Sequence, residues 1–456
     1  MFFILAFLLL WANPTYAADS EVYIKITQAN FKKSLMALPP FQFVGTPNSS
    51  RDGFKVGKEL FDVFRNDMEV SGYFEFVRSD AFLEDTAKVG LKPSSEEPGG
   101  FSFNAWKQVG ADFLVRVGYR VLGDDITVDT YTYSVGREKL AAGKTYRSKV
   151  KDLRTLAHTF ANDVIFTLTG EKGMFLSKIV TSRSTRPQQK EIFILDWDGT
   201  NATQVTHHKS IALSPTWAPD GKSIAYSSFA YHVNRKSRNL DLFTYELQTG
   251  RRYLVSYRQG LNSGANYCPD NKHILLTISN QGNPDIYKMT LDGLKLTRLT
   301  HASNGVMNVE PAMSPDGKKV AFSSTRSGQP MIYIMDSDGT NVKRVTFAGE
   351  YNSTPAWSPD GKKIAFAARD KSHYDVFIMD ADGTNMARLT SAKKVSGSMA
   401  DNEDPSFSPD GKQILFRSNR TGTYQLYIVS TDGETERRIT FDQYNYYKPR
   451  WSPFIE

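Results

Sequence analysis

A single cysteine, Cys268, is all that this 456-residue chain contains. With no second thiol there can be no internal disulfide and no cysteine pair for zinc. Cys268 reads as a small buried strand residue standing where serine is usual. The chain also lacks Gly-x-Ser-x-Gly, His-Glu-x-x-His and Gly-x-x-x-x-Gly-Lys-Ser/Thr. This sets aside the serine-hydrolase elbow, the zinc-peptidase helix and the phosphate loop. Lysine and arginine give a formal net charge of +7, but they are scattered and form no basic run, so no nucleic-acid partner is expected. No apolar stretch approaches the roughly 20 residues that span a bilayer.

The longest apolar run is at the start. Residues 1–10 are apolar, Pro14 breaks the run, and Thr15-Tyr16-Ala17 offers small residues at the places a signal peptidase reads. Residues 1–17 therefore read as a signal peptide without its usual lysine or arginine, and the mature chain as exported and free of the membrane. A composition of 40% hydrophobic and 23% charged residues is that of an ordinary globular chain.

The second half carries a repeated phrase. Trp217-Ala218-Pro219-Asp220-Gly221-Lys222 returns as Met313 to Lys318, Trp357 to Lys362 and Phe407 to Lys412, is degraded at Tyr267 to Lys272, and is cut short at Trp451-Ser452-Pro453. Its prolines are spaced 50, 46, 44, 50 and 44 residues apart, periods that signal a solenoid, propeller or array. Pro-Asp-Gly sets a turn, an alternating run such as residues 363–367 follows, and Asp-Gly pairs at residues 198, 292, 338, 382 and 432 mark a hairpin in each unit. Each repeat thus holds four antiparallel strands and no helix, the content of a propeller blade. Three strands precede the first phrase (near residues 175–180, 191–196 and 203–206) and one follows the last (near 447–451). The expected fold class is an all-β six-bladed β-propeller whose C-terminal strand completes the blade begun near Phe175. Trp451 is then a blade-core residue.

Residues 18–170 show no repeat. Val22, Ile24 and Ile26 alternate as a strand, while Val56, Leu60, Phe64 and Met68 follow helical spacing, as do Leu153, Leu156, Ala157, Phe160, Val164 and Leu168. Strand-like runs lie at 73–77, 113–121 and 126–133. This predicts a small α/β domain with a mixed sheet, joined to a propeller over 171–456. Residues 88–100, rich in Pro, Ser, Gly and Glu, read as its mobile loop.

Candidate chemistry is sparse. His207 and His208 are adjacent, point apart on a strand or turn, and read as a solvated loop. Glu310, Glu403 and Asp404 precede inner strands, where they could converge on the axis and hold a cation, since hard ions want several oxygens. Polar residues at a solvated mouth are the favoured reading, and no metal or cofactor is expected. Tyr444, Tyr446 and Tyr447 form a cluster for blade packing or partner contact.

Several segments together resemble the TolB family of the Tol-Pal system. They are Glu21-Val22-Tyr23-Ile24-Lys25-Ile26, Ala37-Leu38-Pro39-Pro40-Phe41, the stretch ending Gly110-Ala111-Asp112-Phe113-Leu114-Val115, Leu168-Thr169-Gly170, and the Ser-Pro-Asp-Gly-Lys blades, behind a signal peptide. The resemblance implies a non-catalytic periplasmic protein supporting outer-membrane integrity and envelope constriction at cell division. It implies that the propeller docks the peptidoglycan-associated lipoprotein Pal at one mouth of the ring. The contacts would come from Leu261, Asn262, Ser263 and Gly264, from Asn308, Val309 and Glu310, from Asn352, Ser353 and Thr354, from Asn402, Glu403 and Asp404, and from Tyr446. Leu261 and Val309 depart from the His and Thr that relatives can carry, and the second repeat is degenerate at Asn266 and Asn271. The N-terminal residues Asp19, Ser20, Glu21, Val22, Tyr23, Ile24, Lys25 and Ile26 would engage the inner-membrane protein TolA. The rival reading is a hydrolase or lyase with its active site in the propeller channel.

Overall fold

The computed structural model describes residues 32–45, 50–279, 282–301, 303, 305–370 and 372–455. Residues 1–17, expected to be a signal peptide, and the proposed TolA segment, Asp19 to Ile26, lie outside them. The chain forms two compact units that divide between Gly173 and Met174.

In the first unit a mixed sheet runs β3-β1-β4-β5-β6 (β1 Ser34–Ala37, β3 Phe74–Phe76, β4 Phe113–Leu122, β5 Asp125–Ser134, β6 Lys139–Lys149), with the short β2 Gln42–Phe43 beside β4. β1 pairs parallel with both β3 and β4, and β4 antiparallel with β5, so the sheet is mixed as expected. The two helices with apolar 3.6-residue spacing are α1 Ser50–Val70 and α3 Leu153–Thr169, and between them lies the short α2 Phe103–Gln108, which the sequence reading missed. Phe64 of α1 stacks on Phe160 of α3 with ring centres 4.2 Å apart. α1 can approach the sheet because position 57 is glycine: a Cβ there would stand 2.0 Å from the Tyr119 ring. Gly170 ends α3 in the left-handed conformation at φ 77°, its N–H donating to the Phe166 carbonyl.

Residues 88–100 are not the loose loop expected from their composition. Arg116 on β4 is buried, and one nitrogen of its guanidinium donates to the carbonyls of Thr86, Val89 and Gly90 at 2.9–3.1 Å. Burial lowers the pKa of this arginine to about 10. Lys92 N–H donates to Glu97, and Pro93 bridges to Phe101. A composition typical of loops reports only the absence of regular structure; a buried cation collecting orphan carbonyls supplies the order here.

The second unit is six sheets of four antiparallel strands. Five blades are consecutive in sequence; the sixth joins Tyr446–Trp451 to Lys178–Arg186, Gln189–Asp196 and Thr203–Gln204. The closing pair aligns Trp451 with Ile179 and Tyr446 with Arg183. The first of these three strands begins at Lys178, so Phe175 precedes it and packs on Trp197 instead. The first strands of successive blades contact one another around the ring, which makes them the innermost layer. Cores form between neighbouring sheets; Val180 and Ile192 of blade six, for example, pack with Ala212, Ile224 and Tyr226 of blade one.

Two repeated devices fasten the blades. The first is a buried hydroxyl at the end of each fourth strand. The N–H groups of Ile192, Ile286, Ile332, Val376 and Leu426 donate to Thr206, Thr300, Thr346, Thr390 and Thr440 at 2.8–2.9 Å. The second is the indole of the repeated phrase. Trp217 donates to the Arg450 carbonyl, Trp357 to Ala312 and Trp451 to the Ser177 hydroxyl, each across a blade boundary or the ring closure. Trp451 is 6% exposed, a blade-core residue as expected. Cys268 is buried, and burial pushes its thiol up to about 12, which keeps it protonated and inert.

Because Trp451 both fills the last blade core and holds the closing strand, Trp451→Ala is expected to cost about 3–5 kcal/mol. Denaturant unfolding followed by the remaining propeller tryptophans measures this. A loss below about 1 kcal/mol would mean that closure depends on other contacts.

Candidate functional site

Every innermost strand breaks register at the same place, between residues such as Leu213 and Thr216, Val309 and Ala312, or Tyr447 and Arg450. The irregularity is a bulge built on a proline. Pro215, Pro311, Pro355, Pro405 and Pro449 have no N–H to give the ladder, and Ala265 occupies the place in blade two. The degeneracy of that repeat therefore falls on Ala265 and not on Asn266. The residue before each of these positions lies in the left-handed region: Ser214, Gly264, Glu310, Thr354, Asp404 and Lys448, at φ between 46° and 64°. A non-glycine residue there costs about 1–3 kcal/mol and is held only by its surroundings. Six such positions circle one mouth of the channel.

The surroundings are a charged collar. Glu310 of blade three accepts the N–H of Thr354 in blade four at 2.9 Å, and Asp404 of blade five accepts the N–H of Lys448 in blade six at 3.2 Å. Each carboxylate thus captures the backbone donor that the next blade's bulge has turned toward the axis. The Lys448 ammonium closes the network, 2.5 Å from Glu310 and 2.9 Å from Asp404. Arg417, from the second strand of blade five, reaches Asp404 at 2.6 Å and Glu403 at 2.9 Å, and lies over the Tyr424 and Tyr447 rings. Burial alone would raise the pKa of Asp404, but Lys448 and then Arg417 outweigh it and hold the carboxyl well below the usual range. Glu403 moves the other way, raised by burial against the pull of Arg417. Below the collar the channel encloses about 800 Å³, walled by Trp217, Met313, Trp357, Phe407 and the prolines of the turns.

The acidic trio does converge, then, but not as solvated loop residues. Asp404 is buried, and Glu310 and Glu403 are half-buried, already matched by Lys448 and Arg417. Among the described residues no cluster of three or more metal-ligating side chains is found. His208 also departs from its expected place in a solvated loop. It sits half-buried against Tyr226, 3.0 Å from the phenol oxygen, and burial lowers its pKa.

The proposed contact residues separate into two groups. Asn262, Asn308, Asn352 and Asn402 are each at most 1% exposed, and their amides are committed inside the protein. Asn308 and Asn402 donate to Asp285 and Asp375 of the preceding blade at 2.8 Å and accept from Arg326 and Arg420. Asn262 binds the Leu240 and Arg258 carbonyls, and Asn352 the Ala348 carbonyl. They fix the mouth loops. Tyr446 is placed likewise: it is 1% exposed and its hydroxyl donates to Asp442 at 2.6 Å. Ser353, Thr354 and Asp404 are buried too. Leu261, Ser263, Gly264, Val309, Glu310 and Glu403 keep partial access at the mouth.

Around them stands a rim that the sequence reading passed over. Tyr257, Phe347 and Phe441 are 55%, 72% and 74% exposed, and each directly follows the buried hydroxyl of a fourth strand (Ser256, Thr346, Thr440). Arg344 and Arg438 lie over the Phe347 and Phe441 rings. The signal was available as a recurrent Ser/Thr-aromatic pair in phase with the repeat. An exposed aromatic rim around a polar, charge-matched floor is the build of a surface that binds a protein.

The architecture defines a class, a six-bladed propeller preceded in sequence by a small α/β domain, with a charged collar at one mouth of its channel. Comparison with known proteins agrees and goes further. Residues 166–455 match the model of the TolB beta propeller domain, and residues 22–141 that of the TolB amino-terminal domain. The chain belongs to the TolB family. It is 34% identical to the Tol-Pal system protein TolB of Geobacter sulfurreducens over 221 residues, 48% of each chain. It is 33% identical to that of Anaeromyxobacter dehalogenans (strain 2CP-C) over 309 residues, 67% of this chain and 66% of the relative. The chain spans about half the length of the first curated relatives it matches. The crystal structure of TolB from Acinetobacter baumannii superposes with a TM-score of 0.75 at 27% identity, covering 93% of this chain and 97% of that one.

Lys448→Met tests the collar. It strands Glu310 and Asp404, and because the lysine side chain is 27% exposed the expected cost lies toward the lower end of about 3–5 kcal/mol at pH 7. The sign with pH follows from Asp404. A carboxyl held below its unfolded value stabilises the fold above a pH of about 4, and that share is lost as pH falls further. Without Lys448 the stranded carboxyls are relieved by protonation, so the gap between variant and parent is expected to narrow from pH 7 to pH 4. A gap that stays constant or widens on acidification would show that the ammonium is not what holds these carboxylates.

Proposed function

We propose that this protein is a periplasmic docking component of the Tol-Pal system, binding Pal at the collared mouth of the propeller and TolA through residues 19–26. In this role it supports outer-membrane integrity and constriction of the envelope at division. The observation that carries the reading is the mouth itself. Half-exposed Leu261 and Val309 stand among the polar Ser263, Glu310 and Glu403, inside a rim bearing Tyr257, Phe347 and Phe441. Apolar and aromatic anchors over a rigid polar floor supply binding energy without a reaction. Because the buried asparagines are spent on the fold, contact falls to Leu261, Ser263, Gly264, Val309, Glu310 and Glu403. The rival reading, a channel hydrolase or lyase, needs an acid and a base able to exchange protons with a substrate. Here Glu310 and Asp404 are clamped by Lys448 and capture backbone N–H groups, which favours docking.

Paired substitution of Leu261→Arg and Val309→Arg is expected to weaken binding of the soluble domain of Pal by at least about 30-fold, equivalent to about 2 kcal/mol, with an unchanged melting transition. Calorimetric titration of the full chain measures it. Unimpaired binding by the folded variant would place the lipoprotein elsewhere. Independently, deleting residues 18–26 is expected to abolish capture by the periplasmic domain of TolA while leaving Pal affinity within about twofold, as for a segment that adds to a partner's sheet. Retained capture would remove this segment from the interaction.

A further inference from the structure

One hairpin outgrows the repeat. In blade one, Ser223–His232 and Ser237–Glu246 pair residue for residue over ten positions, ending at His232 opposite Ser237. The corresponding hairpins of blades two, three and five pair over six. At 3.3 Å per residue the four extra pairs carry this arm roughly 13 Å beyond those hairpins, and the two extra pairs roughly 7 Å beyond the eight-pair hairpins of blades four and six.

One face of the arm is braced. Asn239 donates to the Arg258 carbonyl at 2.8 Å and accepts the Gly260 N–H at 3.0 Å, both in the connection leading to blade two. His232 lies 2.7 Å from the fully buried Asp241 and stacks on Tyr257. The other face is bare. Phe229 and Tyr231 alternate along the strand and so project together, Val233 follows in the short 3-10 turn at the tip, and exposure rises along the three from 38% to 60% to 76%. Beside them stand exposed Lys236 and Arg238. Residues 223–240 contain no acidic residue, and the next one, Asp241, is buried and matched by His232.

We propose that this arm contacts a membrane surface: Phe229, Tyr231 and Val233 enter the headgroup layer of an anionic leaflet while Lys236 and Arg238 meet its phosphates. Charge complementarity selects an anionic partner, since every charged side chain on the free part of the arm is positive. The shape then selects lipid over an acidic protein. A stable protein interface buries about 800 Å² on each side, more than one row of three side chains on a protruding ridge presents. A leaflet asks for no matching pocket, and amphipathic aromatics beside lysine and arginine are the side chains that settle at its interface. The braced back face holds the row in place before contact, so little ordering is lost on binding. The contact is weak and reversible, as one shallow insertion is.

Co-sedimentation of the full chain with unilamellar vesicles tests it. Vesicles of phosphatidylcholine containing about 30% phosphatidylglycerol are expected to bind about tenfold more protein than phosphatidylcholine alone, with binding falling as salt rises. Tyr231→Ser with Val233→Ser, and separately Lys236→Glu with Arg238→Glu, are each expected to reduce binding about fivefold with unchanged melting. Val233→Trp is expected to increase it. Absence of parent binding to the anionic vesicles, or binding indifferent to all three variants, would overturn the proposal. So would an arm-dependent affinity for polyglutamate without affinity for vesicles, which would assign the arm to an acidic protein.

Discussion

The propeller depends on one strand pairing, Tyr446–Trp451 against Lys178–Arg186, between segments more than 260 residues apart. Until it forms, the six sheets are an open array with an unsatisfied edge at either end; once it forms, each sheet has a neighbour on both sides. Loop closure over that distance is an entropic cost that only non-local contacts repay. The repayment is concentrated near Trp451, whose indole crosses to Ser177, and near Lys448, which lies on the same strand and joins Glu310 and Asp404 from two other blades. Closure of the ring and order at its mouth are therefore one event. The strand that completes the sheet also delivers the cation that lets the collar carboxylates stay charged.

Much of the fold is legible because a blade repeats its own instructions. Pro-Asp-Gly fixes a turn wherever it occurs, and Asn271 shows why the degraded copy still works: it adopts φ 57°, close to the 68° to 74° of the glycines in the intact copies at 221, 317, 361 and 411. The first unit gave up its amphipathic helices and the strands β4 and β5 for the same local reason, but not the eleven-residue β6, whose mostly exposed side chains carry little apolar alternation. It hid β1, β2 and α2, which are too short to show a period, and it hid the role of Arg116, whose partners are backbone carbonyls some 30 residues away.

The mouth was half legible. Glu310, Glu403 and Asp404 were visible as acids before inner strands, but what they do is set by Lys448 and Arg417, cations at repeat positions that hold no cation in the other blades. The asparagines at the head of the inner strands entered through the family resemblance; their regular placement reflects a shared need to anchor each mouth loop to the strand before it. Regular placement in a repeat protein marks what every unit requires, and a partner is met by what differs between units.

That difference has a consequence for how a ring can be read. Six equivalent bulges around an axis would present a ligand with six interchangeable rotations, a degeneracy worth about 1 kcal/mol in orientational entropy. The six positions here are serine, glycine, glutamate, threonine, aspartate and lysine, so no rotation maps the collar onto itself. The scaffold keeps its near-symmetry in the backbone and discards it in the side chains. The mouth is in this sense a keyed socket, with a single azimuth at which an asymmetric guest fits.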